Sequence, residues 1–322
     1  MSKEISYQSL EKTCHELIKN QIIPILQSNY KKLYESAKEK GDDFFLSNDT
    51  AAQFKEDGKG LVSDGEIEAE RVFRQHFKKA YPEIAIFGEE CGDENKAPWI
   101  LVIDPVDGTS AMIENSREHN PALGFGITLG FIHENNFVGG LIYELNVDKN
   151  GNLKLGNIWS AWEGQGTYKN KQPQYIQDSD QLTALISTAP EVMFTSERQR
   201  SAFHSVELNA SKVITGRNCM GFMDIINNEG YCALEADLSI HDAAALIPII
   251  KEAGGIISDL NGNEIKFEDA HQEFRLLCAP KTLHKKVFER FSAALNDKLL
   301  VIAQNSVLNK EKTLNTSKFN NE

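Results

Sequence analysis

The chain has little that would commit it to an extracellular, membrane or nucleic-acid setting. Its 322 residues hold five cysteines, Cys14, Cys91, Cys219, Cys232 and Cys278, and no C-x-x-C pair. Thiols scattered in this way fit a reducing compartment rather than a disulfide framework. No run approaches the ~18 consecutive apolar residues of a membrane span. The opening Met-Ser-Lys-Glu-Ile-Ser lacks the charged-then-apolar pattern of a signal peptide. A cytoplasmic protein without membrane association is therefore expected. An excess of basic residues is also missing. The formal net charge of −13 argues against nucleic acid or an anionic membrane surface as the main partner. It does not argue against a small anionic substrate, because bound metal ions invert the local field.

What remains is an ordinary soluble composition, 41% apolar and 25% charged. The length supports one large or two medium domains. Apolar residues at helical spacing (Leu10, Cys14, Leu17, Ile18, Ile22, Ile25, Leu26) predict a long N-terminal helix, kinked or split at Pro24. The polar segment from Lys38 to Lys59 reads as a mobile loop or hairpin. Ser63 and Glu66 form a capping-box pair at the head of a second helix, whose apolar side is Ile67, Val72, Phe73 and Phe77. Strands follow at 84–87, 100–103, 123–131, 137–143 and 157–162. Beyond Gln181 the pattern becomes mixed. Strands are expected at 185–188, 212–215, 255–260 and 274–279, with helices at 196–210, 242–253 and 281–295. This is an α/β (α+β) chain of layered sheets and helices. Two subdomains are expected, 1–181 and 182–296, with the site between them. A Lys/Asn/Thr-rich tail, 297–322, is expected to be disordered at its end.

The densest chemistry lies in Trp99-Ile-Leu-Val-Ile-Asp104-Pro-Val106-Asp107-Gly108-Thr109. An apolar strand runs straight into two carboxylates, which is costly unless something neutralises them. A hard cation would do so. Pro105 fixes the turn, the Val106 carbonyl offers a third oxygen, and Gly108 permits close backbone approach. Thr109 opens a helix whose free N–H groups would bind an anion. Gly88-Glu89-Glu90 follows the preceding strand, Asp64 sits at a helix start, and Asp242 heads a strongly apolar helix.

Taken together, G-E-E, D-P-x-D-G-T and the later D-A-A-A-L…E-A-G-G resemble the inositol monophosphatase superfamily of Mg²⁺-dependent, lithium-sensitive phosphatases. The resemblance covers roughly residues 60–260. It implies a layered αβαβα sandwich of the sugar-phosphatase type, a homodimer, and two or three Mg²⁺ ions per site. The implied metal ligands are Glu89, Asp104, Val106 through its carbonyl, Asp107 and Asp242. Gly108 and Thr109 would bind phosphate. Glu89, Thr109 and Asp64 would prepare the attacking water, with no covalent phospho-enzyme. His241 stands where the family usually has Trp.

The ester is less legible. By the same resemblance Glu235 would contact a substrate polar group, and Gly216, Arg217 and Asn218 would line the pocket. Arg117 and His119 are rim candidates. The leading expectation is hydrolysis of a small polyol monophosphate of the inositol phosphate type, with histidinol phosphate as the rival. A histidinol-phosphate-hydrolysing branch often carries Asp where this chain has Asn218. An inactive binding relative and a Ca²⁺-binding structural module are the other classes considered. The scattered carboxylates do not look like a continuous Ca²⁺ loop.

Overall fold

The N-terminal apolar stripe forms helix α1 (Tyr7–Leu17), capped by Ser6, whose hydroxyl accepts from Ser9 N, with Leu10, Cys14 and Leu17 buried. The chain continues through a π-helical turn, Ile18–Ile22, into α2 (Ile23–Lys40). Pro24 has no N–H to give the helix ladder. The wider turn just before it absorbs the missing bond, so the helix is interrupted rather than split. In this computed structural model, residues 5–40, 52–54, 61–118, 120, 122–148 and 150–296 are described. Most of the expected 38–59 loop, His119 and the 297–322 tail lie outside them.

A short antiparallel pair, β1 (Ala52–Phe54) and β2 (Leu61–Ser63), leads into α3 (Asp64–Ala80). Next come β3 (Ile84–Gly88), β4 (Gly92–Asp93), β5 (Trp99–Asp107) and α4 (Thr109–Glu118). Long antiparallel strands follow: β6 (Gly126–His133), β7 (Asn136–Val147), β8 (Leu153–Trp162), β9 (Gly166–Lys169) and β10 (Gln172–Gln174). Among the described residues, β3 to β10 make one eight-stranded sheet in the order β10-β9-β8-β7-β6-β5-β3-β4. The β3–β5 pair is parallel; the other pairs are antiparallel.

The remainder of the chain supplies β11 (Ala184–Ile186), α5 (Pro190–Met193), α6 (Glu197–Glu207), β12 (Val213–Ile214) and α7 (Asn218–Asn227). After these come β13 (Tyr231–Leu238), α8 (Ile240–Glu252), β14 (Ile256–Asp259), β15 (Phe274–Ala279) and α9 (Lys281–Asn296). The second sheet has five strands in the order β12-β11-β13-β15-β14. The expectation missed α7 and β13. It also began β6 three residues early, because Gly124 N is bonded to Gly216 O instead of to a strand.

Strand alternation sorts the side chains into layers. On β5, Leu101 and Ile103 join a core with α1, α2, α3 and α4, while Ile100 and Val102 face α7 and α8. On β13, Ala233 faces the same central helices, and Cys232 and Leu234 pack with α6 and α9. The result is helix, sheet, helix, sheet, helix. The first sheet ends with β10 and the second takes up the chain from β11. The central core, however, is built from both sides of this junction, with Phe87 and Trp159 packed in one cluster with Phe222 and Leu276.

Small residues bring α8 against the first sheet. A Cβ on Gly130 would lie 2.3 Å from Ala244 Cβ, and one on Gly140 would lie 2.2 Å from Ala245 O. Thr128 Oγ1, on the same strand as Gly130, donates to His241 O at 3.1 Å. Gly130→Ala is expected to destabilise the protein by roughly 1–3 kcal/mol through overpacking, read by chemical denaturation. On the far side, His284 is 9% exposed and its Nε2 lies 2.9 Å from Ser258 Oγ. Burial holds its imidazole below the ordinary 6.5. The unfolded chain then takes the proton more readily, so this contribution is complete above about pH 6.5 and is lost as pH falls below it. His284→Gln is expected to flatten that acid limb in a pH series of thermal unfolding midpoints.

Candidate active site

At the end of β5 the register with β6 breaks between Asp104 and Asp107. This irregularity lets both carboxylates leave the strand on the same side. Asp104 Oδ1 accepts Val106 N at 2.8 Å, which fixes the turn. The second sheet's helices bring in the third acid. Asp242 is the third residue of α8 rather than its first, and its Oδ2 accepts Ser239 N and Ser239 Oγ, both at 2.7 Å. Asp107 Oδ2 accepts Cys219 N at the start of α7. Ligand oxygens of Asp104, Asp107 and Asp242 lie within 4.8 Å of one another, the first two residues buried and the third half-buried.

Gathering these acids is costly. Burial, and then the charges of Glu89, Asp107 and Asp242, push the Asp104 carboxyl well above its usual range. Burial and the charge of Asp242 push Asp107 up to about 7. Asp242 is raised by burial and Glu89, against the pull of its Ser239 bonds. The charged neighbours that act on them most strongly are other acids, with His241 beside Asp242 the exception. One oxygen of each carboxyl is fixed by a backbone N–H. A hard, oxygen-seeking divalent cation fits this donor set.

Half-buried Glu89 approaches from β3. Its N–H donates to Ile103 O at 3.2 Å, and its carboxyl stands near enough to that of Asp104 to raise it. The turn that carries it is held from below. Glu70, buried on α3, accepts Glu90 N at 2.7 Å and Cys91 N at 3.2 Å, and pairs with Arg74 Nε at 2.7 Å. A Cβ on Gly88 would lie 2.1 Å from Glu70 Oε1, so this support requires glycine. His241 Nε2 lies 3.4 Å from Asp93 Oδ1, joining the start of α8 to β4 beyond Glu89. Burial alone would lower this imidazole, but Asp93 and Glu89 outweigh it and hold it above its usual value.

Gly108 has φ +93°, a left-handed conformation suited to glycine. Its carbonyl accepts Met112 N, so α4 starts at Thr109 with free N–H groups in its first turn. Thr109 Oγ1 lies 3.1 Å from Val106 O and donates a shorter bond to Glu66 Oε1. Burial pushes the Glu66 carboxyl up to about 8 despite the bonds from Ser63 and Thr109.

The geometry corrects one assignment. Asp64 is exposed and lines a surface groove with Asn29 and Arg71, whereas Glu66, two residues on, stands beside Thr109. The capping-box reading of Glu66 holds, since its Oε2 accepts Ser63 N at 2.7 Å. Its other oxygen does the second job. Glu66 and Glu70 share the buried stripe of α3 with Ala69, Phe73 and Phe77. Two carboxylates inside an apolar stripe were the available signal.

The expected substrate contacts are also rearranged. Glu235 on β13 has no exposed surface; its Oε1 accepts Thr188 N at 2.8 Å and Thr188 Oγ1 at 2.9 Å. Burial pushes it up to about 8. Arg217 does not wait for a second anion. Its Nε and Nη2 bond to Asp224 at 2.9 and 3.2 Å, and its Nη1 bonds to Ala122 O at 3.2 Å. Gly216 has φ +68° and Asn218 φ +46°. Asn218 Nδ2 donates to Gly124 O at 2.7 Å and lies 2.5 Å from where a Gly108 Cβ would stand. Asn218 is thereby brought against the Gly108–Thr109 turn. Arg117 lies in α4.

Relatives share this arrangement of elements. The chain is 29% identical over 213 residues to a histidinol-phosphatase of Chlorobaculum parvum, covering 63% of this chain and 74% of that one. It is 23% identical over 245 residues to an inositol-1-monophosphatase of Bacillus subtilis, covering 74% and 85%. The crystal structure of inositol monophosphatase-II from Staphylococcus aureus superposes with a TM-score of 0.65 at 17% identity, over 91% of this chain and 97% of that one, which establishes the fold. The sequence profile of the inositol monophosphatase family matches residues 6–296. By that match, over nearly its whole length, the chain belongs to the inositol monophosphatase family of phosphatases.

Proposed function

We propose that this chain is a Mg²⁺-dependent phosphomonoesterase acting on a small polyol monophosphate of the inositol phosphate type. The observation that carries the reading is the cluster of Asp104, Asp107 and Asp242 beside the open first turn of α4. Asp104, Asp107, Asp242 and Glu89, with the Val106 carbonyl, are the residues that would hold the metal. Bound there, two or three Mg²⁺ ions would acidify water and stabilise charge on the phosphoryl and leaving oxygens. A soluble cytoplasmic homodimer, lithium-sensitive like its family, completes the proposal.

The chain's own groups do the rest. The N–H groups of Gly108 and Thr109 bind phosphoryl oxygens, as the first turn of a helix does. Thr109 Oγ1 donates a hydrogen bond to Glu66, which leaves its oxygen lone pairs free to accept from water. Thr109 thus orients the nucleophile and passes its proton toward a buried carboxylate. Glu70 and Arg74 keep the Glu89 turn in place. No protein nucleophile is required.

Histidinol phosphate is the second reading, favoured by the 29% identity to a histidinol-phosphatase. Against it, Asn218 is neutral and spends an N–H on Gly124 O. A neutral amide oxygen suits a hydroxyl, whereas a substrate ammonium would gain more from a carboxylate.

Phosphate release from inositol monophosphate, histidinol phosphate and simple aryl phosphates, with and without Mg²⁺, tests the proposal. Release only with Mg²⁺, fastest from the polyol ester, is expected. A folded protein that releases phosphate from none of them would refute it. Asp104→Asn is expected to reduce turnover to background without unfolding the protein, checked by circular dichroism alongside the assay. Glu66→Gln is expected to lower kcat on the order of 10²-fold or more. Asp64→Asn should leave kcat at the parent level in the same assay.

A further inference from the structure

The carboxylate of Glu235 has no exposed surface, yet it is tied to the wall of the site by an unbroken series of hydrogen bonds. Its Oε1 accepts both the N–H and the hydroxyl of Thr188, and its Oε2 lies 3.4 Å from Ser187 Oγ. Thr188 O accepts Gly216 N at 3.1 Å, and Gly216 O accepts Gly124 N at 3.1 Å. Gly124 O in turn accepts Asn218 Nδ2 at 2.7 Å. The next residue, Cys219, gives its N–H to Asp107, while Arg217 clamps the same segment to Asp224 and Ala122.

We propose that Glu235 is a positioning residue: through Thr188 and Gly216 it holds the Gly216–Cys219 segment against Asp107 and the Gly108–Thr109 turn, and it does not itself touch substrate. The consequences differ from those of a substrate contact. A contact to a polyol hydroxyl matters only for esters that carry the hydroxyl. A support under the shared wall of the site matters for every ester. The geometry also explains the residue type. Two donors from one threonine converge on a single oxygen, which a carboxylate or an amide oxygen accepts and an apolar group does not. Asn218, a non-glycine residue at positive φ, is the conformationally costly residue of the segment, so its arrangement depends on outside support. The kinetic part of the test rests on the phosphatase reading; the structural part does not.

The experiment uses the full chain with Glu235→Leu and Glu235→Gln. Amide hydrogen exchange is followed by mass spectrometry in peptides covering 122–126 and 213–219. Steady-state kinetics are measured on inositol monophosphate and on para-nitrophenyl phosphate, which has no hydroxyl. Glu235→Leu is expected to speed exchange in both peptides by about tenfold or more, and to raise KM for both esters by similar factors of about tenfold. Glu235→Gln, which keeps the accepting oxygen, is expected to rescue both readouts. Parent-like exchange in Glu235→Leu, or a penalty confined to the polyol ester, would overturn the proposal. If Glu235→Leu does not fold, Thr188→Val removes one of the two bonds to Oε1 and carries the same readouts. Faster exchange in both peptides then supports the tie, and unchanged exchange overturns it. A parent chain that hydrolyses neither ester refutes the phosphatase reading alone, and the exchange result still decides the role of Glu235.

Discussion

Asp104, Asp107 and Asp242 each place one oxygen within 4.8 Å of the others, the first two buried and the third half-buried. Like charges at that separation and burial resist coexisting, and each raises the others. Much of the surrounding structure is arranged to make this tolerable. Each carboxyl receives a backbone N–H, from Val106, Cys219 or Ser239. The donors come from three separate places: the β5 turn, the start of α7 and the start of α8. A cation in the middle would turn the remaining repulsion into attraction. The fold thus brings the end of β5 and the starts of α7 and α8 to one point.

Bringing α8 close enough is a packing problem, and glycine and alanine solve it. Gly130 and Gly140 on the first sheet meet Ala244 and Ala245 on the helix with no room for another carbon. The same helix packs on the second sheet, so one central core carries residues from both halves. Around the cluster, buried acids act as struts rather than ligands. Glu70 holds the turn that carries Glu89, Glu66 holds Thr109, and Glu235 reaches the Asn218 segment through Thr188.

The acidic cluster was legible because its sequence context was contradictory: an apolar strand ending in D-P-V-D-G-T buries charge that something must neutralise. Strands that are continuous apolar runs, such as β5, and helices with clear caps, such as α6 behind Ser196, were legible for similar reasons. The struts were not. Glu66 already had an explanation as a capping-box partner, and a residue with one adequate role attracts no search for another. Glu235 and Arg217 were read as reaching for substrate because a sequence does not show what a charged side chain already holds. Segment 217–238 was unplaced because α7 is buried nearly all round and has no amphipathic period to read. Where Gly124 goes depends on a carbonyl about ninety residues away, and no local propensity encodes that.

The central claim is that these acids share a divalent cation. Crystals soaked with Mn²⁺, a scattering substitute for Mg²⁺, test it most directly through an anomalous difference map. The account predicts a strong peak among Asp104, Asp107 and Asp242 that disappears in Asp104→Asn. A map with no peak there, at Mn²⁺ concentrations that support turnover, would contradict it.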